Sequence, residues 1–120
     1  MSLANRFKSF GYAFKGLAIL FKEEVHAQFH LFATFSVILA GWYFKISAIE
    51  WCLVILSIGI VIATEALNTA IENLTDLVSP EIHPLAGKAK DLAAAGVLIA
   101  AFSAAVIGLI IFLPKLKVLF

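Results

Sequence analysis

The sequence predicts an all-α membrane protein of a single domain, 1–120, in which an amphipathic surface helix precedes three transmembrane helices. Of its 120 residues, 62% are hydrophobic and only 14% are charged, and the mean hydropathy is +1.02. An ordinary soluble domain is about 45–50% apolar and about 25% charged. Nine basic and eight acidic residues cannot cover the surface of a small soluble domain. Composition therefore disfavours a soluble enzyme, a disordered tail and a nucleic-acid-binding protein.

The first element, predicted over 1–27, combines regularly spaced apolar residues with scattered cations. The apolar residues at helical spacing are Phe7, Phe10, Phe14, Leu17 and Phe21. Lysines on the other faces are typical of a helix that lies in the membrane surface. A signal peptide is the alternative, and it is disfavoured because the basic residues are interspersed and no long apolar segment follows them directly.

Three apolar stretches then predict transmembrane helices over 29–46, 49–71 and 92–113. The first contains an uncharged run, Leu31–Phe44, which is shorter than the roughly 20 residues of a full span. The third is uncharged throughout, and Pro114 is expected to end it. All three are expected to be helices because the backbone in lipid must satisfy its own hydrogen bonds. The single cysteine, Cys52, excludes an intrachain disulfide and a cysteine-rich zinc site.

Three spans place the two termini on opposite sides of the membrane. One side carries six cations, namely Arg6, Lys8, Lys15, Lys22, Lys88 and Lys90. The other side carries Lys45, Lys115 and Lys117. The positive-inside rule predicts that the six-cation side, with the N-terminus, faces the cytoplasm.

Acidic residues recur along the second span and just beyond it. Glu65 and Glu72 are seven residues apart and lie within roughly 20° of each other on a helix, and Asp76 follows one turn later. Asn68 lies one turn from Glu65 on the neighbouring edge. A carboxylate within a span costs about 2.5–3.5 kcal/mol on insertion scales, so it is expected to face the bundle interior and to have a function. Such a row suits a magnesium nucleotide at the surface, with an acid or base just below it.

Other interpretations of these residues stay open at this point. In one alternative, Glu65 and Asn68 serve solely to join helices by hydrogen bonds. Glu72 and Asp76, each considered alone, would be surface acids at the end of a helix. A small proton-coupled transporter would use Glu65 as its proton site but has no use for the other acids. A non-catalytic membrane subunit packed by small residues would need none of them. Glu23 and Glu50 are expected to be ordinary surface charges.

The segment after Asp76 predicts a break between two helices. Pro80 and Pro84 interrupt the helix, and Ser79 is a candidate N-cap. From the residues alone, His83 is more simply a polar loop residue than a phosphate ligand, and Lys88 is best interpreted as a lysine that snorkels to the interface. Spacing leaves Lys90 undecided. Neither a glycine-rich phosphate loop nor a kinase lysine motif is found in the sequence.

The sequence resembles the small prokaryotic integral-membrane diacylglycerol kinases, a family that includes the undecaprenol kinases. The family signature is E-x-[LIVM]-N-[ST]-[SA]-[LIV]-E-x-x-V-D. It is matched from Glu65 to Asp76, with Thr75 in place of the valine. Two further stretches are similar to the family, namely Gly11-Tyr12-Ala13-Phe14-Lys15-Gly16-Leu17 with Glu24 downstream, and Pro80-Glu81-Ile82-His83-Pro84-Leu85-Ala86 followed by Ala89-Lys90-Asp91. The resemblance covers nearly the whole chain.

The resemblance implies a surface helix and three transmembrane helices assembled as a homotrimer in the bacterial inner membrane, with shared active sites near the cytoplasmic face. It implies transfer of the γ-phosphate of MgATP to a lipid hydroxyl. Glu65 is then the general base. The lipid is bound by Glu65, Asn68 and Ala94, and Mg²⁺ is held by Glu24 and Glu72. The residues that this resemblance places at ATP are Tyr12, Glu24, Glu72, Asp76, Glu81, Ile82, His83, Lys90 and Asp91.

The lipid itself is less well determined than the reaction. The broader family name makes diacylglycerol, converted to phosphatidic acid, the first expectation. In the undecaprenol kinase branch the region that corresponds to Glu24–His30, where the first span begins, resembles E-x-N-x-x-x-H. Glu24 and His30 match this pattern, whereas His26 replaces the asparagine. Undecaprenol, converted to undecaprenyl phosphate, is therefore the alternative substrate.

Overall fold

The computed structural model describes residues 2–120, which form four α-helices in succession. These are α1 (Leu3–Glu23), α2 (Val25–Tyr43), α3 (Ala48–Val78) and α4 (Pro84–Leu119). Within residues 2–120, three helices, α2, α3 and α4, are long and apolar enough to cross a membrane. The predicted all-α class with three spans is confirmed. The main helix–helix interface joins α3 to α4, and α1 and α2 pack against each other and against α3.

The junction between α1 and α2 is a single extended residue. Glu24 has φ −104° and ψ 115°, and it both ends α1 and begins α2. The side chain of Gln28 reaches back and donates to the carbonyls of Phe21 (3.1 Å) and Lys22 (3.3 Å), which would otherwise be unpaired at the helix end. Leu20 is the buried residue of α1. These two hydrogen bonds help to hold the angle between the two helices.

The turn between α2 and α3 is compact because the chain reverses within four residues. The Ile46 amide donates to the Gly41 carbonyl (3.1 Å), and Lys45 takes the left-handed conformation with φ 50°. This is the Schellman arrangement, in which glycine usually occupies the position of Lys45. A Cβ on Gly41 would lie 2.8 Å from Trp51 Cη2 and 3.0 Å from Ile46 Cδ1. Gly41 thus permits the close packing of this turn.

The start of α3 carries a capping box and an interhelical ion pair. Ser47 Oγ accepts from the Glu50 amide (3.2 Å), and Glu50 Oε1 accepts from the Ser47 amide (2.9 Å). Glu50 Oε2 also accepts from Lys115 Nζ of α4 at 2.8 Å. The expectation that Glu50 is an ordinary surface charge is therefore wrong, because it caps one helix and joins it to another.

Helix α4 differs from the sequence expectation at both ends. It begins at Pro84 with His83 as N-cap, whereas Ser79 ends α3. Proline is preferred at the first helical position, which places the cap one residue before it. Pro114 lies inside α4, so the expected stop at this residue is wrong. Only about one further turn follows, and a helix in lipid tolerates the lost amide where neighbouring groups compensate.

Candidate functional site

Glu65, Glu72 and Asp76 lie on one uninterrupted helix, α3, as the predicted row of carboxylates requires. At 1.5 Å per residue, Glu72 lies about 10 Å and Asp76 about 16 Å beyond Glu65 along the axis. Exposure rises in the same order, since Glu65 is only 4% exposed, Glu72 is half-buried and Asp76 is exposed. The 31 residues of α3 extend over about 46 Å, whereas the hydrocarbon core is about 30 Å thick. The helix is long enough to carry the row out of the apolar layer.

Glu65 contacts a histidine from the neighbouring helix α2. His30 Nδ1 lies 3.1 Å from Glu65 Oε1, and the two side chains are 19% and 5% exposed. The orientation of the ring does not form an aligned hydrogen bond at this distance, and Nδ1 has no other partner among the described residues. Sequence reasoning used His30 only to compare lipid branches and missed this contact. The match of His30 to the E-x-N-x-x-x-H pattern could have marked the residue as functional. The pattern lies on one helix, however, and does not identify a partner on another helix.

Two buried polar atoms lie one turn further along α3. Asn68 Nδ2 donates to Glu72 Oε1 at 3.1 Å, which restrains that carboxylate. Asn68 Oδ1 and Thr69 Oγ1 are buried and, within residues 2–120, have no hydrogen-bond partner. Buried polar atoms are nearly always paired, so these two atoms are positions where a ligand, a water or a partner subunit can bind. Thr69 was not among the predicted site residues, although it occupies the Ser/Thr position of the signature.

The carboxylate of Asp76 is paired with Lys90 of α4. The Lys90 ammonium group donates to Asp76 Oδ1, and the two side chains are 40% and 62% exposed. An ion pair this exposed contributes little to stability. Its geometric effect is larger, because it brings two predicted nucleotide residues from different helices to one place. Asp91 follows on α4 and is exposed.

The connection between α3 and α4 carries the other predicted nucleotide residues. His83 Nδ1 accepts a hydrogen bond from the Leu85 amide at 3.1 Å and so caps α4, which leaves Nε2 as the free donor of the ring. Ser79 Oγ donates to the Glu81 carbonyl at 3.0 Å. Glu81, Ile82 and His83 are exposed. They flank the N-terminus of α4, where backbone amides and the helix dipole favour an anion.

Among residues 2–120, no side-chain hydrogen bond or ion pair joins the remaining predicted residues, Tyr12, Glu24 and Ala94, to this group. Glu24 is half-buried at the α1–α2 junction, and its side chain makes no capping hydrogen bond. Tyr12 on α1 is 72% exposed, and Ala94 is exposed on α4. Across residues 2–120, no three histidine, cysteine, aspartate or glutamate side chains are grouped as a metal site.

An apolar cavity is lined in part by His30, the partner of Glu65. Its volume is about 330 Å³, and it opens between α2, α3 and α4. His30, Thr34 and Ser57 are the polar side chains of its lining, and the remaining lining residues are apolar or glycine. The cavity therefore reaches His30, the partner of Glu65, and its apolar walls suit a hydrocarbon chain.

Comparison with known proteins identifies the family. The sequence model described as prokaryotic diacylglycerol kinase matches residues 11–112, a range that contains every predicted site residue from Tyr12 to Ala94. The chain belongs to the prokaryotic diacylglycerol kinase family. Because this is a family of kinases, membership implies the use of ATP. The transporter interpretation of Glu65 finds no support in it.

Relatives within the prokaryotic diacylglycerol kinase family carry two names. The chain is 45% identical to the undecaprenol kinase of Bacillus subtilis over 113 residues. The aligned region covers 93% of this chain and 92% of that protein. It is 39% identical over 94 residues to the diacylglycerol kinase of Escherichia coli strain K12, covering 78% and 76% of the two chains. The diacylglycerol kinase of Helicobacter pylori is 38% identical over 94 residues, covering 78% and 73%.

Proposed function

We propose that this chain is a membrane lipid kinase that transfers the γ-phosphate of MgATP to the primary hydroxyl of a lipid alcohol. The observation that carries the proposal is the graded row of acids on α3. It runs from a buried carboxylate, whose partner His30 lines an apolar cavity, to an exposed carboxylate paired with a lysine. A lipid kinase needs both environments, since its two substrates come from the bilayer and from water.

Glu65 is the general base of the proposed reaction. It takes the proton of the lipid hydroxyl while the hydroxyl oxygen forms a bond to the γ-phosphorus. The bond between that phosphorus and the β–γ bridging oxygen breaks, and ADP leaves with the electron pair. Positioning and charge neutralisation supply most of the catalysis in phosphoryl transfer, so a modest number of side chains is sufficient.

Glu72 and Glu24 are the proposed ligands of Mg²⁺. Carboxylate oxygens suit this hard cation, which commonly takes one or two carboxylates together with substrate phosphates. The Asn68 amide holds Glu72 Oε1, and the Glu24 side chain makes no capping hydrogen bond, so carboxylate oxygens of both residues remain for a cation. When bound, the ion neutralises the charge that develops on the β- and γ-phosphates.

The nucleotide is proposed to lie against the exposed ends of α3 and α4. Lys90, oriented by Asp76, supplies a cation, and the free Nε2 of His83 supplies a donor. The other proposed contacts, Tyr12, Glu81, Ile82 and Asp91, are exposed and accessible to a soluble nucleotide. Glu81, Ile82 and Asp91 follow the exposed end of the row along the chain, which supports their assignment, whereas Tyr12 is assigned from the family resemblance.

Two observations favour undecaprenol over diacylglycerol as the lipid. The relative named undecaprenol kinase is 45% identical over 93% of the chain, against 39% over 78% for the diacylglycerol kinase of Escherichia coli. His30 also matches the histidine of the undecaprenol kinase pattern. Both lipids present a primary hydroxyl at the interface, so the proposed chemistry is the same for either. Ala94 is proposed to contact the lipid.

The protein is proposed to work as a homotrimer with shared sites. The described chain buries few side chains, and its long helices leave large apolar surfaces exposed. Some of this surface suits lipid and some suits partner subunits. We further propose that α1 lies in the cytoplasmic surface of the bacterial inner membrane, because its apolar stripe and the excess of cations on this side favour that placement.

Purified protein in lipid nanodiscs with radiolabelled ATP tests the proposal directly. Wild type, Glu65→Gln and Glu72→Gln are assayed with diacylglycerol and undecaprenol side by side, at several magnesium concentrations. We expect Glu65→Gln to abolish lipid phosphorylation and Glu72→Gln to raise the magnesium requirement. Glu23→Gln, a change at an exposed acid outside the proposed site, is the matched control. The proposal fails if wild type phosphorylates neither lipid or if both site variants keep full activity.

A further inference from the structure

The contact between His30 and Glu65 joins two helices at the proposed base. The 3.1 Å separation of His30 Nδ1 and Glu65 Oε1 lies within hydrogen-bonding range, and both side chains are largely buried. Within residues 2–120, the carboxylate of Glu65 receives no aligned hydrogen bond, and His30 is its only ion-pair partner. His30 is therefore the group of this chain that is placed to restrain the base.

His30 makes two local contacts on α2, one through its ring and one through its backbone carbonyl. Its ring packs edge-on against Phe29 with a centroid distance of 6.1 Å, and its carbonyl accepts from Thr34 Oγ1 at 2.8 Å. The ring also forms part of the cavity lining. A glutamate side chain has three rotatable bonds, and an imidazole 3.1 Å from one carboxylate oxygen limits the positions that the side chain can take. The second oxygen is left to accept a proton.

We propose that His30 is a positioning residue that orients Glu65 for attack by the lipid hydroxyl. The inference rests on the proposed role of Glu65 as base. A misplacement of about 1 Å at a reacting group can cost 100-fold in rate. Because His30 acts through Glu65 and not on the nucleotide, its loss reduces kcat and leaves the KM for MgATP unchanged.

Three substitutions separate positioning from simple packing. In asparagine, the side-chain amide nitrogen occupies the place of Nδ1, whereas in glutamine it extends to the place of Nε2. We expect His30→Leu and His30→Gln to lower kcat by about 30- to 100-fold, in line with a small misplacement of the base. We expect His30→Asn to recover most of that loss. His26→Leu is the control, since His26 is exposed on the same helix and one turn away.

The assay measures kcat and the KM for MgATP in nanodiscs, and the thermal midpoint reports folding. Should His30→Leu fail to fold, the polar pair His30→Asn and His30→Gln decides the question. Equal rates for Asn and Gln, wild-type kcat in His30→Leu, or a change confined to the KM for MgATP would each overturn the inference. If Glu65→Gln is inactive while His30→Leu is normal, only the role of His30 is wrong. If Glu65→Gln is active, the assignment of the base fails first.

Discussion

His83 combines two roles that substitution can separate. Its Nδ1 caps α4 by accepting from the Leu85 amide, and its Nε2 is free to donate to a phosphate oxygen. Asparagine is also a strong N-cap, whereas alanine is not, and loss of a cap costs about 1 kcal/mol. His83→Asn should therefore keep the helix start and lose the phosphate contact, while His83→Ala should lose both.

The expected magnitudes follow from these two contacts. A hydrogen bond to a charged group is worth about 1.5–3 kcal/mol, which corresponds to roughly a 10- to 150-fold fall in kcat/KM for MgATP. Both variants should show this fall at saturating lipid. Only His83→Ala should also lower the thermal midpoint. Steady-state kinetics with varied MgATP, together with thermal unfolding in the same detergent, measures both quantities. Wild-type kcat/KM in His83→Asn would show that the histidine serves only as a cap.

Three further predictions concern the turn between α2 and α3 and its link to α4. Gly41→Ala should destabilise the protein by about 1–3 kcal/mol through overpacking against the neighbouring aromatic ring, whereas Gly59→Ala, where a Cβ meets open space, should not. Thermal unfolding of the pair tests this, and equal midpoints would contradict it. Lys45→Gly should stabilise by about 1 kcal/mol because it removes a left-handed non-glycine residue, and an unchanged or lower midpoint would refute that reasoning. Lys115→Met should lower the midpoint by leaving Glu50 without its partner while kcat stays normal, and a loss of kcat would instead connect this end of the bundle to the site.

Features that depend on local periodicity could be predicted from the sequence. The prediction that Glu65, Glu72 and Asp76 share one helix face depends on the helical repeat of 3.6 residues per turn. It also requires the helix to continue past the apolar run, and α3 does continue to Val78. The Asn68–Glu72 hydrogen bond is likewise an i,i+4 contact. Such contacts follow from the position of each residue on one helix, without information about the others.

Contacts between helices could not be predicted in the same way. Glu50 looks like an isolated acid because Lys115 is distant in sequence, and His30 looks like a polar flank until α2 packs against α3. Pro114 was interpreted by a rule suited to helix interiors in water, whereas α4 continues for about one more turn beyond it. The missing information in each case is the packing of a neighbouring element, which helical periodicity does not contain.

The chemistry of Asn68 locates the proposed transfer step along α3. Its amide donates to Glu72, so the atom left unpaired is Oδ1, which can only accept a hydrogen bond. A phosphate oxygen is also an acceptor and gains nothing from Oδ1, whereas a lipid hydroxyl or a water on the metal can donate to it. Glu65 and Glu72 lie about 10 Å apart along the axis, with Asn68 between them. The arrangement therefore favours a hydroxyl that reaches the level of Asn68 from the side of Glu65 and a phosphate that approaches from the side of Glu72.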